Sequence, residues 1–426
     1  MKTLSPVLTS FLRYVVIDTR CIETKPGETP QLPSSPGQTI LINLLHEQLE
    51  ELGIAKDRMI FLGDGSLMVE LPADNGCENA PHVVLGAHVD TYPKQSGDVV
   101  PIVYAPYQGG NIVLPNEGTI IPAEDLVGLE DKTIVVPSGD SLLGGDDKAG
   151  VAEIMVALKR IVNMPHGPLT IIFFTDEEGG DSSFVKFLDP AKVAAWDIFY
   201  TLDGLEAGTI DIGCFNGAEV IVTFKGNDAH PGVGGKKIKS ALAAAVCFCQ
   251  SLITFCPRPW DFESNDPDGA FVHVTEITGT VGEATVTLIP RSFNLDELTG
   301  VLYRTISKLA EEAATGFDLP GFEVSPMVVG YQSTEEAVRR HPKHIDVVAG
   351  ALYNSGLKII KRRVRGGTDG AMLNLKFPQV PCINLGTGDR NCHEKSEFVV
   401  VEEMEAMVDA LVLLVALYAD QDKSTF

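Results

Sequence analysis

The chain of 426 residues contains no apolar run long enough to cross a bilayer. The longest late stretch, Leu411 to Ala419, is too short, and Glu405 and Asp409 lie on its approach. It reads as a packed terminal helix. The N-terminal segment lacks the long apolar centre of a secretory signal. Its apolar positions Leu4, Val7, Leu8, Phe11, Leu12 and Val15 instead recur at helical spacing, which predicts an amphipathic first helix.

Basic residues are outnumbered, 33 Lys and Arg against 58 Asp and Glu, for a net charge of −25. Such a surface repels phosphate backbones, so no nucleic-acid partner is expected. No membrane partner is expected either. Cysteine is sparse: Cys21, Cys77, Cys214, Cys247, Cys249, Cys256, Cys382 and Cys392 include no CxxC pair. A zinc ribbon and a thioredoxin-like site are thereby disfavoured, and reduced thiols in a cytoplasmic protein are expected. Internal repeats and low-complexity tracts are also lacking. The 44% apolar and 21% charged composition is ordinary for a globular chain. The length exceeds what one hydrophobic core usually spans, so at least two domains are expected.

Four short apolar runs read as buried strands: 82–87, 169–174, 198–202 and 381–385. None alternates cleanly with polar residues, as befits strands covered on both faces. Helical stretches, clearest at Val151 to Val162, lie between some of them. The expectation is an α/β fold with a mixed, largely parallel sheet flanked by helices. Residues 92–137, rich in Gly, Pro and Asn, read as an irregular excursion with small strands. A second block reads as an inserted α+β domain over 213–329, with strands near 218–225, 273–278 and 284–289 and helices at 240–255 and 295–314. The remainder, 1–212 and 330–426, forms the larger domain.

The chemistry lies just beyond the four strands. The first ends in His88-Val-Asp90, the second in Thr175-Asp-Glu-Glu178 and the third in Asp203-Gly204; the last leads to His393. Residues beyond the carboxyl ends of parallel strands share one edge of a sheet. Imidazole and carboxylate donors suit zinc without a thiolate. A carboxylate two residues from a histidine along an extended chain points the same way and can accept the other ring N–H. Glu177 and Glu178 point opposite ways, so one can bind metal while the other acts as general base. A two-metal site lowers the pKa of a bridging water and clamps a developing oxyanion. Gly144-Gly-Asp-Asp-Lys-Ala-Gly150 precedes a helix without being a phosphate loop, since GxxxxGK[ST] is absent. Asn227-Asp-Ala-His-Pro-Gly232 offers His230 as an oxyanion donor. Arg365-Gly-Gly-Thr-Asp-Gly-Ala371 offers an arginine for a substrate carboxylate. Taken singly, most fragments read better as a solvated turn or an ordinary helix cap. Their order after these strands is what carries weight.

Together, Gly86 to Thr91, Leu142 to Gly150, Thr175 to Glu178, Tyr200 to Gly204, His230-Pro-Gly232, Arg365 to Ala371 and His393 resemble the M20 metallopeptidases, most nearly their tripeptide aminopeptidases. The resemblance covers nearly the whole chain. It implies a zinc-peptidase-like catalytic domain with an inserted lid and two zinc ions per subunit. Asp146 would bridge the ions, with His88 and Asp203 on one and Glu178 and His393 on the other. Glu177 would be the general base, Asp90 would orient His88, and His230 would steady the tetrahedral intermediate. Arg291 and Arg365 match substrate-binding positions. The implied reaction is hydrolysis of the N-terminal peptide bond of short peptides, by a monomer or homodimer. Another M20 amidohydrolase activity (dipeptidase, carboxypeptidase or N-acyl-amino-acid deacylase) is the alternative, and a non-catalytic zinc-binding protein of the same fold is a more distant one. The chain departs from the pattern at Leu205, where a glycine is usual, at Cys392, where an aromatic residue is usual, and in Ser138-Gly-Asp-Ser141. Cys392 is expected to be a pocket or packing residue, because the five ligands already form a complete set.

Overall fold

The strand Val83–His88 is buried at every position, and so is Leu169–Phe174. Alternate residues serve two different cores. Val83, Leu85, Leu169, Ile171 and Phe173 join one apolar cluster, while Val84, Ile172 and Phe174 join another. Both faces of the sheet are therefore covered, which removes polar alternation from the sequence. The structure is a computed structural model and describes residues 4–23, 29, 31–179, 183–255 and 269–426.

The main sheet has eight strands in the order Met59–Phe61, Leu67–Leu71, Leu169–Phe174, Val83–His88, Ile198–Gly204, Cys382–Gly386, Thr209–Cys214 and Ile360–Val364. The four expected strands are its centre, and adjacent members run parallel. Flanking pairs such as Leu67–Leu71 with Leu169–Phe174 are antiparallel, so the sheet is mixed. The register sets His88 beside Phe174 and Gly86 beside Thr201. The chain segments leaving these strands thus begin from one edge.

The first helix spans Pro6–Val15, with Ser5 as cap and Pro6 opening it, and buries Val7, Leu8, Phe11, Tyr14 and Val15. Leu4 lies before it and is exposed. The helix expected from Val151 begins earlier, at Gly145, and runs to Ile161. Its added first turn is not regular: Asp146 and Asp147 have non-helical backbone angles, and their peptide is cis. Gly144 precedes them with φ +80°, a conformation that glycine adopts without steric cost. The terminal helix, Val401–Ala419, packs in the same core through Met404, Leu411 and Val415.

The excursion at 92–137 contains Ile102–Tyr104, Ile112–Val113, Ile120–Ile121 and Ile134–Val136. Ile134–Val136 pairs with both Ile102–Tyr104 and Phe398–Val400, around a small core that includes Tyr107, Leu114 and Leu126.

The chain divides into two compact units. The larger holds residues 1–212, 334–363 and 368–426; the smaller holds 213–333 and 364–367. In the smaller, the sheet order is Phe271–Gly279, Glu283–Ser292, Asn216–Lys225, Gly321–Val324, and Val328–Tyr331 also pairs with Asn216–Lys225. The helix expected from 295 opens as a π-helical turn, Glu297–Leu302, before Tyr303–Gly316. Two short pieces read with the larger domain pack with the smaller instead. Tyr331 pairs with Gly217, and Phe215 N–H donates to the Val364 carbonyl at 3.2 Å. No disulfide joins the described cysteines; Cys256 lies outside the described residues.

Candidate metal centre

Side chains at the carboxyl edge of the main sheet converge around Asp146. Its Oδ1 lies 2.9 Å from His88 Nε2, and its Oδ2 lies 3.1 Å from His393 Nε2. His88 Nε2 is also 3.5 Å from Asp203 Oδ1, while His393 Nε2 is 2.7 Å from Glu178 Oε1. Asp146 therefore has one oxygen on each of two sides, with a histidine and an acid on each. His88 is fully buried, Glu178 nearly so, and His393 remains 40% exposed.

Local structure fixes each member. Asp203 is held by its backbone N–H, which donates to Asn384 Oδ1 at 3.1 Å across the strand pair. His393 adopts φ +66° and stacks on Tyr92, ring centroids 4.3 Å apart and planes 6° apart. The Glu177-Glu178 turn begins at Asp176, with φ +61°, whose carboxylate accepts from Gln38 Nε2 at 2.7 Å and from Ser34. Asp147 Oδ2 accepts His88 N–H at 3.1 Å, tying the glycine-acid loop to the histidine strand.

Asp90 faces His88 and makes further contacts. His88 Nδ1 lies 3.1 Å from the Asp90 backbone carbonyl and 3.4 Å from its carboxylate. That carboxylate accepts the backbone N–H groups of Glu177 and Glu178, at 3.1 and 3.0 Å. Asp90 thus faces the histidine with both its carbonyl and its carboxylate, and clamps the two glutamates through its side chain.

The electrostatics describe crowded anions. Burial pushes Glu178 up to about 7 and Asp203 up to about 6, with Asp146 adding to both. Burial and the nearby Asp369 charge raise Glu177 well above the usual carboxylate range. Burial opposes charge on the two imidazoles, but the carboxylates outweigh it. His88 is raised well above its ordinary value and His393 to about 11. The nitrogen and oxygen donor set suits a divalent cation. The residues fit a metal on each side of Asp146.

Sequence reasoning missed Asp369 and Glu397, and read Cys392 as a pocket or packing residue. Asp369, inside the Arg365 to Ala371 motif, brings a carboxylate oxygen within 4.8 Å of those of Glu177 and Asp203. Cys392 Sγ lies within the same limit of Asp146 and His393 donor atoms. Glu397, four residues beyond His393, is buried and accepts N–H groups of Leu143, Gly144 and Asp146 at 2.6, 2.8 and 3.1 Å. Only its position just after His393 could have flagged it.

The remaining expected residues lie in the smaller unit. His230 is exposed, and its Nδ1 accepts Gly232 N–H at 3.1 Å. Arg291 donates to the Ala218 carbonyl at 3.1 Å and lies 5.1 Å over the Tyr331 ring. Arg365 lies 5.3 Å over Phe215 and 5.4 Å over Phe271.

Residues 144–417 match the model of peptidase family M20/M25/M40. The chain belongs to the M20 family. It is 34% identical to Peptidase T of Escherichia fergusonii over 423 residues, 98% of this chain and 99% of that one. Peptidase T of Salmonella arizonae is 35% identical over 423 residues, 97% and 99% of the two chains. Among solved structures, aminopeptidase PepT of Bacillus cereus shares the fold at TM-score 0.74 and 20% identity, covering 97% of this chain and 98% of that one. The Bacillus subtilis YXEP protein, described as a dinuclear metal binding peptidase of the M20 family, aligns at TM-score 0.63 and 15% identity over 96% and 97% of the two chains. As an M20 member, this chain is a peptide-bond hydrolase. No helix among the described residues is long and apolar enough to cross a membrane.

Proposed function

We propose that this M20 enzyme is a dinuclear zinc aminopeptidase that removes the N-terminal residue of short peptides, tripeptides above all. The larger unit is the catalytic domain and the smaller is its lid. The observation that carries the reading is Asp146, with one carboxylate oxygen toward His88 and the other toward His393. His88 and Asp203 would hold one zinc ion, Glu178 and His393 the other, with Asp146 shared. Bound there, the ions supply Lewis acidity toward water and the scissile carbonyl. The tripeptide assignment draws on the Peptidase T relatives at 34% and 35% identity.

The protein's own groups do the rest. Glu177 takes the proton of the attacking water and passes it to the leaving amine. Its raised affinity for a proton, set by burial and Asp369, suits that exchange. Asp90 keeps the base in place by holding the N–H groups of Glu177 and Glu178. From the smaller unit, His230 donates to the developing oxyanion. Arg291 and Arg365 meet the substrate's free carboxylate, and the aromatic faces beneath them hold the guanidinium planes. Described cysteines without disulfides agree with a cytoplasmic setting.

The test is a panel of free, N-acetylated and C-amidated di-, tri- and tetrapeptides. Free tripeptides should be cleaved fastest, with release of the first residue. Equal cleavage of N-acetylated peptides would overturn the aminopeptidase assignment and leave an acyl-amino-acid hydrolase as the reading.

A further inference from the structure

The two sides of Asp146 are not chemically alike. On the His88 side the donors are nitrogen and oxygen only, from His88, Asp146 and Asp203. On the other side, Cys392 Sγ, a carboxylate oxygen of Asp146 and a ring nitrogen of His393 all lie within 4.8 Å of one another. Donor atoms around tetrahedral zinc sit roughly 3–4 Å apart, given metal–ligand bonds of about 2.0–2.3 Å. The cluster is thus already near the spacing an ion requires. His393 is fixed by its stack on Tyr92, so the pairing does not depend on a swinging imidazole. Cys382, by contrast, has an ordinary structural setting: it contacts Asn374 Nδ2 at 3.3 Å and donates to the Val380 carbonyl at 3.5 Å.

We propose that Cys392 is a thiolate ligand of the metal on the Glu178–His393 side. The inference rests on the dinuclear reading and adds a donor to it. Binding breaks the S–H bond, releases the proton to solvent and forms one metal–sulfur bond; no electron is transferred. A thiolate favours zinc or cobalt over magnesium or manganese on that side. With Asp146, Glu178 and His393, Cys392 would bring the protein donors on that side to four.

Cobalt(II) reports both readings separately. Titrated into apoprotein, it should give visible ligand-field absorption from the whole centre and a near-ultraviolet sulfur-to-cobalt charge-transfer band. Cys392→Ser should keep the first and lose the second, with zinc affinity lowered about tenfold or more. Visible absorption without the sulfur band, or a sulfur band that survives Cys392→Ser, overturns the thiolate ligand and leaves the dinuclear reading standing. Failure to take up cobalt at all overturns both. If Cys392→Ser does not fold, alkylation of wild type decides, read at the Cys392 peptide by mass spectrometry. Zinc should slow it at least tenfold while leaving the exposed Cys247 unchanged. Equal alkylation of Cys392 with and without zinc overturns the proposal.

Discussion

Glu397 Oε1 accepts the backbone N–H of Asp146 at 3.1 Å, while its other oxygen accepts Leu143 and Gly144. One buried carboxylate therefore shapes the loop that presents the shared acid of the centre. Glu397→Ala strands three buried donors, each at about 1–3 kcal/mol. The melting temperature should fall by several degrees. Glu397→Gln keeps the volume but turns one acceptor into a donor, and should weaken zinc binding about 10–100-fold. Calorimetry and metal titration check both, and wild-type zinc affinity in Glu397→Gln would contradict the role.

Arg365 is set by two aromatic faces as well as by its charge. Arg365→Ala should raise KM for free tripeptides about 10–100-fold, the worth of a charge-assisted hydrogen bond. C-amidated peptides should show little change. Arg365→Lys should not restore KM, because an ammonium neither stacks nor forks. Steady-state kinetics on paired free and amidated substrates decide this, and an equal KM rise for both would place Arg365 away from the carboxylate.

The buried His344 pairs through Nδ1 with Tyr418 Oη at 2.7 Å, and burial pushes its imidazole down to about 3. His341 and Lys343 are the nearby basic groups. The unfolded chain, near 6.5, takes the proton first as pH falls. The stability from this group is complete above about pH 6.5 and declines at roughly 1.4 kcal/mol per unit as pH falls toward the folded value. His344→Gln should flatten the acid side of the melting temperature profile between pH 6 and about 4. An unchanged slope would assign the acid loss elsewhere.

The central strands were legible because residues buried on both faces leave continuous apolar runs, as in Leu169 to Phe174. The proposed ligands His88, Glu178, Asp203 and His393 were singled out because they come after those strands in order, and Asp146 because it opens a helix behind two glycines. Contacts made through backbone N–H groups were not. Asp90 was legible as a partner for His88, but its carboxylate's hold on the N–H groups of Glu177 and Glu178 was not. Glu397 carries no spacing that ties it to Leu143, which lies 254 residues away. The segment around Arg365 packs with the smaller unit through a backbone bond from Phe215 to Val364 and through the Phe215 and Phe271 rings under Arg365, which no periodicity announces.

The central claim is that Glu177 moves the proton while its neighbours hold the metal. Glu177→Ala should be measured for zinc content and tripeptide hydrolysis on the same preparation. The account predicts zinc at the wild-type level with activity lowered about 10²–10⁴-fold. Full activity in a Glu177→Ala protein that still holds its zinc would contradict it.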